Sequence, residues 1–358
     1  MIYLINLLAI PLYYLFITII YKTKEKRERA FFILFGLHTV LFRVLANPLN
    51  YVDTEGYAMA YERISDMSFK EAMTSQYVLW GVGYVFLNWL LTRLSSDPMV
   101  LFSFISVLSV GGVVWFYKKT SHSLFATGLF YVIYGMLYLF GFGVIRQPLA
   151  IVFALLALYY IDNFKKSFLL AVIAILLHTS CVIFLPFYLW KYFRFEKRSL
   201  LTMAIVITIG FLALRFTMNF FLTFLERAQQ TGFGEEGDNN YLPVLILGTT
   251  VLLFYLTRTN YRLKQGYEKN IFSFVIYGLM VSLFGIGLHG AGRLTLMFIY
   301  VFPVAITFVK TYSGKKGLPI YYLYYTSLLL LLSFLFINSY DSARYDYVAI
   351  WETVSDYK

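Results

Sequence analysis

The chain has little charge and almost no cysteine, and both shortages exclude whole classes of protein. Charged residues are 14% of its 358 residues, and Cys181 is the single cysteine. An intramolecular disulfide and a cysteine-based metal site are therefore excluded. The sequence also lacks a GxxxxGK[ST] phosphate loop, an HExxH motif and a serine nucleophile elbow. No polar stretch is long enough for a soluble nucleotide-binding domain.

Long apolar runs take the place of soluble domains. The chain is 60% hydrophobic and 20% aromatic, with a mean hydropathy of +0.69. Runs of the length needed to cross about 30 Å of hydrocarbon recur along it, at 2–21, 30–46, 98–117, 200–224 and 318–339. They predict a single all-α polytopic membrane domain over 1–358, with about 10–12 transmembrane or half-membrane helices. No basic stretch precedes the first run and no small-residue cleavage site follows it, so a retained span is expected.

The distribution of basic residues predicts the topology. The net charge is +11, and such an excess collects on cytoplasmic loops, so it does not indicate nucleic-acid binding. Clusters at 21–29, 117–119, 164–166, 191–198, 258–269 and 310–316 are placed inside. The loops at about 47–97 and 226–241, the 289–293 turn and the 341–358 tail are placed outside.

Two segments break a simple alternation of spans. The map is consistent if 84–94 is an interfacial helix on the outer surface and if 167–192 is two short helices with a turn at 178–180. The alternative is that the lysines in these regions depart from a statistical rule.

The stretch "YVDTEGYAMAYERI" at 51–64 places Asp53 and Glu55 just after the second apolar run. Tyr57 falls on the apolar face of the helix that follows. A carboxylate beside apolar surface can serve as a general base. The alternative is a solvated acidic loop.

Arg146 stands at the outer entrance of an apolar helix, with Pro148 in the predicted first turn. Free backbone N–H groups and a guanidinium favour an anion there, although a snorkelling arginine would look the same. His178, deep in an apolar run, is either a phosphate or sugar ligand or a structural hydrogen-bonding residue.

His289 and Arg293 flank a glycine-rich break between two spans. Glycines let backbone approach a ligand closely, and the arginine is the stronger candidate ligand. A tight turn with snorkelling ends is the alternative. The acidic stretch at 231–241 suits a gating loop or a linker equally.

Five stretches resemble, in order and spacing, the EpsG-like, Wzy-type bacterial exopolysaccharide and O-antigen polymerases. They are "YVDTEGYAMAY", "WGVGYVFLNWL", "IRQPLAIVFALLALYYI", "LLHTSCVIFLPFY" and "GRLTLMFIYVFP". One departure is visible: Trp80 stands where an acidic residue is expected before the Gly-aromatic step. The outer loop, surface helix and following span also resemble the GT-C class of membrane glycosyltransferases, which is a likeness of fold alone.

The resemblance implies a capsule or exopolysaccharide polymerase at the outer face of the bacterial cytoplasmic membrane. It would transfer a growing glycan from undecaprenyl pyrophosphate onto the next lipid-linked repeat unit. Asp53 is the expected base, with Glu55 as alternate, and Arg146, Arg293 and His178 are expected to neutralise the pyrophosphate. Gln147, His289 and Tyr57 are further substrate contacts. The expected partners are the two lipid-linked substrates and the bilayer, with a flippase and a chain-length regulator as candidates. No metal or other cofactor is required.

Three other classes compete with a polymerase. A transporter or flippase for lipid-linked oligosaccharide should show internal repeats and a charged path to the cytoplasm, whereas the candidate residues here gather on one side. A glycan ligase or acyltransferase would share the outward-facing site without extending a chain. A structural membrane component would tolerate loss of Arg146 and His178.

Overall fold

The computed structural model describes residues 2–51, 53–138, 140–190, 209, 241–257, 266–286, 291–315 and 317–340. The secondary-structure elements of these residues are all helices. Four of the predicted features lie outside the described residues: the apolar run at 200–224, most of the 226–241 loop, His289 and the 341–358 tail. The described part is an all-α polytopic membrane protein, as its apolar runs predict.

The first part of the chain forms helices α1 to α11, joined by short 3₁₀ turns. Their bounds are α1 Ile2–Ile20, α2 Lys24–Val44, α3 Thr54–Ser65, α4 Phe69–Thr74, α5 Val82–Thr92, α6 Pro98–Thr120, α7 Leu124–Ile133, α8 Gly135–Tyr138, α9 Phe140–Gly143, α10 Arg146–Tyr159 and α11 Phe164–Leu177. The 3₁₀ turns are Pro48–Asn50, Gln76–Trp80 and Thr179–Phe184. The remaining helices are α12 Phe187–Trp190, α13 Leu242–Thr257, α14 Gly266–Phe284, α15 Ala291–Tyr312 and α16 Leu318–Tyr340.

The chain divides into two compact units. The first contains Met1–Val182 and Tyr324–Lys358, and the second contains Ile183–Leu323. Within the first unit α10 packs against α11 and α6, α6 packs against α2, and α3 packs against α5. Within the second unit α13, α14 and α15 pack against one another, and α12 contacts α14.

Membrane-crossing segments are identified by length and composition. Among the described residues, Pro98–Thr120, Arg293–Tyr312 and Leu318–Leu335 are long and apolar enough to cross a bilayer. Shorter apolar helices of 10–17 residues accompany them, among them Ile5–Ile20 and Leu242–Thr257. On α1 the exposed face is apolar, with Leu8, Leu12, Leu15 and Ile19 each more than half exposed. In water such a stripe would be costly, whereas lipid is its matching solvent.

The segment from α3 to α5 folds into a small helical cap with its own core. Ala60, Ile64, Ala72, Tyr77 and Val85 form that core, drawn from α3, α4, α5 and the 3₁₀ turn between them. Helix α4 begins at a capping box, in which the Ser68 backbone N–H donates to the Glu71 carboxylate at 2.7 Å. This hydrogen bond holds the pKa of Glu71 below its ordinary value.

The segments 84–94 and 167–192 both have the local structure that the predicted topology requires. Helix α5 has 11 residues and is about 16 Å long at 1.5 Å per residue, too short for a span. Helix α11 ends at Leu177, and His178 caps it in an extended conformation with φ −155° and ψ 119°. The break at 178–180 is therefore present. A 3₁₀ turn and the short α12 follow the break, whereas a single helix was predicted there.

Candidate anion site at Arg146

Helix α3 begins at an aspartate with unusual backbone geometry. Asp53 has φ +68°, the left-handed region that non-glycine residues rarely adopt, and its side chain caps no backbone N–H. Aspartate is among the residues that tolerate this region best. The Thr54 hydroxyl donates to the Tyr51 carbonyl at 2.6 Å and fixes the turn. The Asp53 carboxylate stays exposed, and Tyr57, one turn further along, is buried.

A glycine turn then carries Trp80 and Tyr84 to the same region. Gly81 has φ +118°, and a Cβ there would lie 2.8 Å from the Leu176 carbonyl oxygen and 2.9 Å from that of Leu177. A Cβ on Gly83 would lie 2.9 Å from the Cβ of Leu176. The two glycines therefore allow the start of α5 to rest directly on the end of α11, next to His178.

Replacing Gly81 with alanine is expected to disrupt this contact. The Cβ would enter the α11 carbonyls, and the backbone conformation itself disfavours any side chain, so we expect destabilisation of about 2–4 kcal/mol. The measurement is the apparent melting temperature of the detergent-solubilised protein, followed by tryptophan fluorescence. Gly111→Ala in α6 is the matched control, because a Cβ there meets no atom within 4 Å. Equal melting temperatures for the two variants would show that the Gly81 contact is not required.

Arg146 projects into the aromatic group that α3 and this turn create. Its guanidinium carbon lies 5.5 Å, 5.4 Å and 5.7 Å from the ring centres of Tyr57, Trp80 and Tyr84. These distances are in the range of cation–π attraction. Nε donates to the Tyr57 hydroxyl at 3.3 Å, and Nη1 donates to the Trp80 carbonyl. We call Arg146 with these three aromatic residues the arginine cage.

The charge inside the cage has no carboxylate to neutralise it. Among the described residues, the hydrogen-bond partners of Arg146 are Tyr57 and Trp80, and none is acidic. The side chain is only partly buried. Arg146 is also the first residue of α10, at the end of the helix dipole that favours negative charge. The predicted helix start is confirmed, and the cage is suited to hold a phosphate or similar anion.

His178 lies beside the cage and is nearly buried, at 8% exposure. Its Nδ1 is 2.7 Å from the Ser180 hydroxyl oxygen, and the Ser180 backbone N–H donates to the same nitrogen at 3.3 Å. A backbone N–H can only donate, so Nδ1 is an acceptor and the ring hydrogen is on Nε2. In this arrangement the Nδ1 of His178 is a hydrogen-bond acceptor, and the expected role of His178 at a pyrophosphate stays a prediction.

The other predicted residues are placed less directly. Gln147 follows Arg146 and is 1% exposed. Glu55 is exposed on α3, two residues before Tyr57 and therefore on nearly the opposite side of the helix. Arg293 is exposed near the start of α15, in the second compact unit. Its role alongside Arg146, and that of His289, stay predictions.

A second arginine near the cage was not identified from the sequence. Arg43 ends the second apolar run, is 5% exposed and donates to the Gly141 carbonyl. It lines a small cleft. The other lining residues include Tyr51, two residues before Asp53, and Ile145, next to Arg146. The cleft therefore lies between the end of α2, helix α6 and the residue before α10.

Trp80 and Tyr84 were also missed, because an acidic residue was expected at the position of Trp80. Here Trp80 offers Arg146 a ring and a carbonyl in place of a carboxylate. In the sequence, the signal that could have identified them is that these two aromatic residues flank Gly81 and Gly83. No cluster of three metal-ligating side chains occurs among the residues described, and metal independence stays a prediction.

These features define a class: a helical, multi-pass membrane protein with an uncompensated arginine caged at the start of a helix. The particular family follows from comparison with known proteins. The EpsG family model matches residues 30–349, and the chain belongs to the EpsG family. Membership indicates a glycosyltransferase-like function of the exopolysaccharide polymerase type. The curated proteins contain no match to the chain, and neither do the solved structures.

Proposed function

We propose that this chain polymerises lipid-linked repeat units at the outer face of the bacterial cytoplasmic membrane. It transfers the growing glycan from undecaprenyl pyrophosphate to a hydroxyl of the next lipid-linked unit. The arginine cage is the observation that carries the proposal. A partly buried cation without a carboxylate partner, at a helix start, is suited to the charge that develops on a departing pyrophosphate.

The acceptor side of the reaction is assigned to Asp53. The Asp53 carbonyl accepts from the Tyr57 backbone N–H at 3.3 Å, so Asp53 lies one helical turn before Tyr57. Tyr57 in turn contacts Arg146. A base on Asp53 is therefore about one helical turn from the cage, close enough for both groups to act on one glycosyl transfer. Glu55 points away from Tyr57, which favours Asp53 of the two.

The proposal divides the reaction between two charges of opposite sign. The Asp53 carboxylate accepts the proton of the attacking sugar hydroxyl as the new glycosidic bond forms. The bond from the anomeric carbon to the pyrophosphate oxygen breaks, and its electron pair leaves with the pyrophosphate beside Arg146. His178 contributes hydrogen bonding at the end of α11, which packs against the Gly81 turn.

Deletion of the gene tests the proposal against its rivals. Loss of a polymerase is expected to leave single repeat units on lipid at the outer face of the membrane. Loss of a flippase would leave them at the inner face, and loss of a ligase would leave long chains still attached to lipid. Repeat units accumulating at the inner face would overturn the proposal.

A further inference from the structure

The Tyr57 hydroxyl has a hydrogen for which the cage provides no acceptor. In the part of the chain that the structure describes, its one hydrogen-bond partner is Nε of Arg146, at 3.3 Å. Because a guanidinium nitrogen can only donate, the Tyr57 oxygen is the acceptor in this bond. The O–H hydrogen is therefore left to bond something outside the cage.

The donors of Arg146 are divided in a matching way. Nε is directed to Tyr57 and Nη1 to the Trp80 carbonyl, which leaves Nη2 as the nitrogen without a bond inside the cage. The Tyr57 hydroxyl, hydrogen-bonded to Nε, and the Nη2 group of Arg146 are thus two hydrogen-bond donors beside the same guanidinium. Tyr57 is 4% exposed, and a hydrogen bond formed in such a site is stronger than one in water.

We infer that Tyr57 is a second ligand of the anion that Arg146 binds, donating its O–H to a phosphate oxygen beside Nη2. The inference rests on the proposed function and specifies how Tyr57, a substrate contact that the family resemblance implies, binds the phosphate. A tetrahedral phosphate presents oxygens in several directions, so one group can accept from both donors. The assignment also gives Tyr57 two roles, since its oxygen orients Arg146 while its hydrogen binds the ligand.

Removing the hydroxyl tests the inference with inorganic pyrophosphate as the probe. The full chain is purified in detergent, and the dissociation constant is measured by calorimetric titration. Tyr57→Phe keeps the ring over Arg146 and is expected to weaken binding about 10- to 100-fold, the range for a hydrogen bond to a charged group. Tyr77→Phe is the matched control: Tyr77 is buried against Trp80, but its hydroxyl pairs with Arg63. We expect it to bind like the wild type.

A second variant separates ligand binding from the orientation of Arg146. Fluorinated tyrosine at position 57 keeps the oxygen that accepts from Nε but ionises at lower pH, and a phenolate cannot donate. Pyrophosphate binding by this variant should fall as the fluorinated phenol ionises, whereas fluorinated Tyr77 should leave binding unaffected. Arg146 and Tyr84 are the titratable groups facing Tyr57, and Arg146 stays charged throughout.

The outcomes distinguish this inference from the proposed function. Wild-type binding by Tyr57→Phe, or a fluorinated Tyr57 variant with the wild-type pH profile, would overturn the role of Tyr57. If cells that carry Arg146→Ala in place of the wild-type protein still lose polymer, the proposed polymerase function stands. Wild-type protein that does not bind pyrophosphate would overturn the anion site itself, and Tyr57 with it.

Discussion

Arg146→Ala is expected to abolish polymer and leave single repeat units on lipid. The substitution removes the permanent cation of the cage, and loss of one preorganised donor at a developing charge costs about 100- to 1,000-fold in rate. Arg146→Lys is the sharper variant. An ammonium keeps the charge, but it cannot bond Tyr57 and Trp80 with the geometry of the guanidinium fork, so a loss of about tenfold or more is expected. Polymer is measured by the length distribution of extracted glycan.

Arg93→Ala provides the matched control for Arg146. Arg93 also lies over a tryptophan, with its guanidinium carbon 5.4 Å from the Trp89 ring centre, and it donates to the Ser65 carbonyl. It is exposed and lies at the end of α5 in the helical cap, so its loss tests whether any arginine on an aromatic ring is needed. We expect normal polymer from this variant. Full-length polymer from Arg146→Ala would remove the basis of the site assignment.

Asp53→Asn is expected to reduce polymer formation about 100- to 10,000-fold, the range for loss of a general base. Asparagine is a suitable replacement because it tolerates the left-handed backbone that position 53 requires. The fold of α3 should therefore survive while the proton acceptor is lost. The measurement is the rate of chain extension by purified protein supplied with lipid-linked repeat units.

Glu55→Gln is the control for Asp53→Asn. Asp53 is the N-cap residue of α3 and Glu55 lies in its first turn, and both are exposed, so each substitution removes one negative charge from the same helical cap. A base at Asp53 predicts that only Asp53→Asn slows extension. Equal losses would indicate a general effect of charge, and a larger loss with Glu55→Gln would transfer the base to Glu55.

Local features of the fold were accessible from the sequence, and long-range contacts were not. The start of α10 at Arg146 and the break at His178 followed from Pro148 and from the charge pattern, which act within a few residues. The Trp80 carbonyl meets Arg146 across 66 positions, and hydrophobic periodicity carries no information about such a pairing. Both residues were visible in the sequence, but their contact was not.

The glycines of the 80–84 segment show the same limit. Their pattern was evident, but the reason for it is the pair of carbonyls at Leu176 and Leu177. Arg43 was hidden for a different reason, because it ends an apolar run and its hydrogen bond goes to the carbonyl of Gly141 in a distant helix. Side chains that bond only main-chain atoms leave no complementary residue in the sequence to suggest them.

The glycine contact between α5 and α11 also joins two parts of the site mechanically. Main-chain atoms form much of it, and such atoms have no rotamers with which to absorb a displacement. A shift of the end of α11 would therefore pass to the turn at Gly81 and on to Trp80. His178, which caps α11, and Trp80, which holds Arg146, are therefore expected to move together as one rigid group.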